Sequence, residues 1–491
     1  MSVPAFENGM LCLPRMLEDP RRSRAMLLSL VVATLITIPL ADSLYRIPIQ
    51  VSDSLEPMVV ARKADSTISL LENSATFSPT TFRPARYLQA RWLLQLADRA
   101  SLSYNTVFRG VHVALLVLLI ALFVAAVRPR EWTDVVAFGV AFPVLIGMHT
   151  FLAMLLEAFP VNHYAEVSVC ALAVFVLAQH QPKWYVPIVA SLLLIGALSV
   201  IESGVMVWVT VLCCAAAGMP GIRRSTVIAT TVLFLAYLVL RHQLGIVTPG
   251  VGGHGSGFGA TFYSADEVAQ RFGAHPAGFM IYNVIGGLAS LLLAEPRNGV
   301  YSLLAAWRAG EIHPVVTINI LSSLASTLLL IWYAVMHVRT KRADWPDATR
   351  AFAAAAVIML VNAALTAAYI KDEIISVGGV FYAVCTFIAV RALIVTLPRR
   401  TTAAAFAITL LLATNAALWT FRASGVHYQL RYDAFKTRND WVEVLRENER
   451  SEWPNDSREL QLTRRLRAEA LERHTASPSF MPRWGDRYWV E

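Results

Sequence analysis

Apolar runs close to 20 residues long recur along almost the whole chain, and they decide its class before any single residue does. A helix needs about 20 consecutive apolar residues to cross the hydrocarbon core of a bilayer. The runs are continuous rather than alternating, which excludes a membrane β-barrel. Charged residues make up 15% of the chain, where a soluble protein carries about 25%. The mean hydropathy of +0.52 agrees. The expected fold is an all-α polytopic membrane protein.

Residues 25–44, 110–127, 135–155, 167–178, 185–200, 203–217, 226–240, 315–336, 351–369, 375–396 and 402–421 read as eleven spans. Residues 278–294 are apolar enough to make another. If they crossed, the stretch HVRTKR after residue 336 would face outward, against the rule that Lys and Arg gather in cytoplasmic loops. They are therefore read as an interfacial or re-entrant helix. Arg21, Arg22 and Arg24 stand directly before the first run and hold the N-terminus inside. That run is long enough to span and about 24 residues precede it, so it is not a cleavable signal peptide. One register satisfies every loop. Inward ends read RPRE, QHQPK, GIRR, HVRTKR and LPRR, and outward ends read SDSLE, LEAF, IES and KDE.

The expected organisation is a cytoplasmic tail (1–24), a membrane domain (25–421) and a polar extracytoplasmic tail (422–491). The membrane domain carries a first outer loop (46–104) and a large outer segment (243–311) that opens on the flexible GVGGHGSGFG. The tail contains ELQLTRRLRAEALERH, a charged helical stretch, and is too small for a catalytic domain of its own. No internal repeat is visible, so the inverted-repeat signature of many transporters is missing.

The net charge of +8 sits in short loops, as membrane orientation alone requires. No basic face is large enough to follow a phosphate backbone, which excludes nucleic acid. Cys12, Cys170, Cys213, Cys214 and Cys385 match no metal spacing and form no disulfide framework. They read as small packing residues.

Ionisable residues near the outer face remain. Asp53 follows the first span by about nine residues, and a carboxylate at the water boundary can take a proton from a hydroxyl. Glu56 is three residues on and would share a helix face with it. Glu157 ends the third span, followed by His163, Tyr164 and Glu166, which could act as acid/base groups or metal ligands. No close His or Cys pair supports a metal there. Glu202 stands alone in the apolar hairpin SVIESGVMV. Arg83, Arg241 and Lys371 are outer-face cations, and arginine grips phosphate with a two-pronged geometry that lysine lacks.

Several of these elements, in this order, resemble the GT-C superfamily of membrane glycosyltransferases. An acidic pair, Asp53 and Glu56, follows the first span. Phe82, Arg83 and Pro84 form a phe-arg-pro element before the second. Glu202, Ser203 and Gly204 form a Glu-Gly-like turn between the fifth and sixth spans. An outward span ends in YLVLR at Arg241, and YIKD precedes a G-G-x-x-Y-A span over 369–383. The chain departs from the family where Glu373 follows Asp372 in place of Arg, and where Ile201 precedes Glu202 in place of Lys.

The resemblance covers roughly residues 21–422 and implies transfer of a sugar from a polyprenyl-phosphate donor to a glycan, lipid or protein acceptor on the outer face of a bacterial inner membrane. Asp53 would be the base, with Glu56 and Glu157 beside it. Arg83, Arg241, Lys371, Asp372, His163 and Glu202 would hold phosphate or substrate. No cofactor is required, though a divalent metal is compatible with the chemistry. A transporter or flippase of lipid-linked saccharides, or a non-enzymatic envelope-assembly subunit, are the alternatives.

Overall fold

The structure, a computed structural model, describes residues 20–51, 54–77, 83–156, 161–244, 246, 256–257, 262–273, 275–294, 307–311, 314–337, 344–367, 370–448 and 457–473. Asp53 and Glu157 lie outside these residues. The chain runs through α1 (Pro20–Arg46), α2 (Leu55–Lys63), α3 (Thr67–Phe77), α4 (Pro84–Ala100), α5 (Tyr104–Val127) and α6 (Trp132–Gly147). It continues with α7 (His149–Leu156), α8 (His163–Ala178), α9 (Val186–Val200), α10 (Val205–Ala216), α11 (Arg224–Gln243) and α12 (Ala265–Phe272). It ends with α13 (Pro276–Leu292), α14 (Pro314–His337), α15 (Asp347–Ala364), α16 (Ser376–Thr396), α17 (Thr402–Asn448) and α18 (Arg458–Glu472). Among the described residues, strand is confined to the antiparallel pair Ser256–Gly257 and Phe262–Tyr263.

Among the described residues, seven helices are long and apolar enough to cross a membrane, or eight if α6 and α7 are one bent span. α8, α9, α10 and α13 are apolar but shorter. The 15 residues of α9 rise about 22 Å against a hydrocarbon core of about 30 Å, so length alone does not make it a full crossing. The run at 135–155, expected as one straight span, is broken at Met148 and bent by 53°. Met148 is extended there, and the chain re-enters helix at His149.

α16 is the most enclosed span, with 78% of its apolar window buried, whereas α11 has 11% buried and turns its apolar side chains outward. Two glycines explain how closely α16 packs. Gly378 donates its N–H to the Asn362 side chain of α15 at 2.7 Å. A methyl group on Gly379 would sit 2.2 Å from the Thr150 hydroxyl of α7. Tyr382, one turn on, hydrogen-bonds Thr327 at 2.9 Å and donates to the Ser323 carbonyl. The G-G-x-x-Y-A pattern is thus satisfied by helix packing.

A second core forms above the spans, where Met58, Tyr87, Leu94, Phe108, Trp441 and Leu466 are buried together. α17 runs without interruption past the expected end of its span and delivers Trp441 to the Ile49 carbonyl at 2.7 Å. α18 then docks on the first outer loop. Its Glu469 carboxylate accepts the N–H groups of Tyr104 and Asn105, each at 3.0 Å, at the start of α5. A carboxylate at a helix N-terminus meets both the free donors and the favourable end of the helix dipole. The tail and the first loop therefore make one cap over one end of the bundle.

Candidate functional site

Arg83, Glu202 and Arg241 come from three distant parts of the chain and meet at the capped end. Arg83 is the residue before α4, with Pro84 at the first helical position, where a missing N–H costs nothing. Glu202 occupies a single 3₁₀ turn between α9 and α10. Ile201 breaks the helix by turning extended, and Gly204 lets the turn press on α9. A β-carbon at Gly204 would lie 2.4 Å from the Ala197 carbonyl, so a larger residue would push the turn and Glu202 away. Arg241 is in the last turn of α11.

The geometry is a bridge. Arg83 donates through Nε at 3.0 Å and Nη2 at 2.6 Å to one Glu202 oxygen. Arg241 reaches the other oxygen at 3.4 Å and the Tyr237 hydroxyl at 3.0 Å. The Tyr237 ring lies 5.7 Å from the Arg241 guanidinium. Burial pushes the Glu202 carboxyl up, but Arg83, by charge and hydrogen bond, and Arg241 behind it pull it below its ordinary value of 4.5. With one oxygen paired to each guanidinium, Glu202 stands as the counter-ion of both arginines. Two guanidiniums against one carboxylate leave one positive charge in excess.

His163 begins α8 wholly buried and pairs with Glu166 at 3.0 Å. The other Glu166 oxygen accepts from the Gln89 amide of α4 at 2.6 Å. Arg83 and Arg86 both act electrostatically on this histidine, which places it beside the arginine bridge. Glu56 lies in the first turn of α2 and is exposed. Gln50, three residues before Asp53, donates to the carbonyl of Leu156, the residue before Glu157, at 2.8 Å. The chain segments that lead to these two acids are therefore bonded to each other.

Lys371 is half-buried in the turn before α16, next to Asp372. Asp372 belongs to a separate cluster that sequence reasoning did not assemble. The His149 Nε2 lies 2.9 Å from the Ser290 hydroxyl and 3.5 Å from Asp372, and Ser290 is 3.4 Å from the same carboxylate. His149 is the residue at which the bent span restarts, and Ser290 lies on α13. Nothing in the spacing signals that meeting, because it depends on where α13 folds back. The Ser168 and Ser376 hydroxyls, 3.5 Å apart, tie α8 to the start of α16 between the two clusters.

Among the described residues no three His, Cys, Asp or Glu side chains are grouped so as to hold a metal ion. No protein-family model, curated protein or solved structure matches the chain.

Proposed function

We propose that this protein is a membrane glycosyltransferase of the GT-C kind, with eleven spans, its N-terminus inside and its C-terminus outside. It moves a sugar from a polyprenyl-phosphate donor to an acceptor on the extracytoplasmic face. The convergence of Arg83 and Arg241 on Glu202 carries this reading, because three of the family-like motifs meet there through direct ion pairs. The bridge keeps two guanidinium forks pointed at one place, which is what a departing phosphate needs. α11 supports the route for the donor's tail. Its Ile228, Val232 and Leu235 are exposed along the flank of the bundle, and the helix ends at Arg241. A prenyl chain lying on that flank would bring its phosphate to the arginines.

The leaving group is already a phosphate anion, so the reaction needs no strong general acid. It needs a base for the acceptor hydroxyl, the role given to Asp53. One displacement inverts the anomeric centre. The reading is tested by reconstituting the purified chain with labelled short-chain prenyl-phosphate sugars and a mixture of envelope acceptors. Transfer with inversion is expected; no transfer from any such donor would remove the enzymatic reading.

One observation favours a second reading, a flippase. The break at Met148, with His149, Ser290 and Asp372 gathered beside it, is the kind of discontinuous helix that lines transport sites. Movement of a fluorescent prenyl-phosphate saccharide across a liposome bilayer, lost on His149→Ala, would favour it. The transferase reading expects no such movement.

A further inference from the structure

The end of the bundle opposite the arginine bridge holds a cavity of about 420 Å³ between the ends of α5, α6, α8, α10, α14, α15 and α16. Four guanidiniums line it, those of Arg128, Arg130, Arg350 and Arg391. Two carboxylates accompany them, Asp134 and Asp347. Apart from Gln179 and His337, its remaining wall is mostly apolar and aromatic, with Tyr333, Phe387, Ile388 and Pro220.

The charges are arranged so that a positive excess survives. Asp134 is occupied, because it accepts the backbone N–H groups of Arg130 and Glu131 and pairs with Arg391. Arg128 donates to the Gln179 carbonyl at 3.1 Å, and Arg350 to the Gly218 carbonyl at 3.2 Å. Those bonds fix the guanidiniums in place, but a carbonyl cancels no charge. Membrane orientation accounts for arginines in inward loops. It does not account for Arg391, which lies within α16 rather than in a loop, nor for one loop and two helices directing their arginines at one hollow. The volume exceeds that of a phosphate ion and falls in the range of small-ligand sites.

We propose that this cavity binds the phosphate of an anionic glycerophospholipid headgroup, with the guanidiniums on the phosphate and the glycerol against the aromatic wall. By the charge pattern this is the cytoplasmic leaflet, where anionic lipids meet basic pockets between helices. The site is separate from the arginine bridge and does not depend on the transferase reading.

The test is native mass spectrometry of the full chain in neutral detergent, titrated separately with phosphatidylglycerol, diacylglycerol and inorganic phosphate. The variant is Arg130→Gln with Arg350→Gln, which leaves the Asp134–Arg391 pair intact. Its fold is checked by its thermal midpoint. Phosphatidylglycerol is expected to bind the wild type at least about tenfold more tightly than diacylglycerol, and to lose about tenfold in the variant, the scale of one charged hydrogen bond. Binding of inorganic phosphate alone, sensitive to the same variant, would keep the phosphate site but make its source a soluble ion. Equal retention of phosphatidylglycerol by wild type and folded variant, or no preference over diacylglycerol, would overturn the proposal.

Discussion

Replacing Arg422 with alanine is expected to cost about 3–5 kcal/mol of stability, at the severe end for a single substitution. The side chain is buried in α17 and ties three other helices or their ends together. It donates to the Gly147 carbonyl at the end of α6 and to the Ala294 carbonyl after α13. It also donates to the Asn319 carbonyl and to the hydroxyls of Ser322 and Ser323 on α14, each at 2.9 Å. Its guanidinium lies 4.1 Å from the centre of the Trp419 ring. The Gly147 and Ala294 carbonyls are helix-end acceptors without an intrahelical partner. In this buried site each acceptor that loses the arginine bears its own desolvation cost. Arg422→Lys should fall between wild type and alanine, since an ammonium has three donors and no fork. The surviving monodisperse fraction after a heating ramp in detergent measures this. Equal midpoints for wild type and alanine would refute the staple.

Replacing Asp53 with asparagine is expected to lower sugar transfer by about 10²–10⁴-fold, the range for losing a positioned general base. Asparagine keeps the size and removes the proton acceptor, so expression and thermal midpoint should match wild type. The loss should appear mainly in kcat, because the proposed mechanism assigns the donor's phosphate to Arg83 and Arg241 and not to Asp53. Unchanged transfer would remove Asp53 from the mechanism. A loss confined to KM would move it from catalysis to binding.

The membrane class was legible because apolar runs need no tertiary knowledge. The break at Met148 left only scattered marks in the sequence, Pro143 and Gly147 before it and His149 after it, in a run over residues 135–155 otherwise apolar enough to read as one span. Arg83, Glu202 and Arg241 could be named one at a time as ionisable residues near an interface. Their meeting could not, because it depends on Gly204 pressing against α9 and on α11 ending level with that turn. Arg422 looked like the first residue of a polar tail because the apolar run stops at Phe421. Three of its acceptors are backbone carbonyls, which leave no mark in a sequence. The same holds for the inner cavity, whose arginines read singly as orientation signals.

The claim on which the functional account rests is that the Arg83–Glu202–Arg241 bridge receives a lipid-linked phosphate. Equilibrium binding of a short-chain polyprenyl phosphate to the purified chain tests it most directly, with the matching prenol as the uncharged control. Wild type should prefer the phosphate, and Arg83→Gln and Arg241→Gln should each weaken it by about tenfold or more while leaving prenol binding unchanged. Equal affinity for phosphate and prenol, or phosphate binding indifferent to both arginines in folded protein, would contradict it.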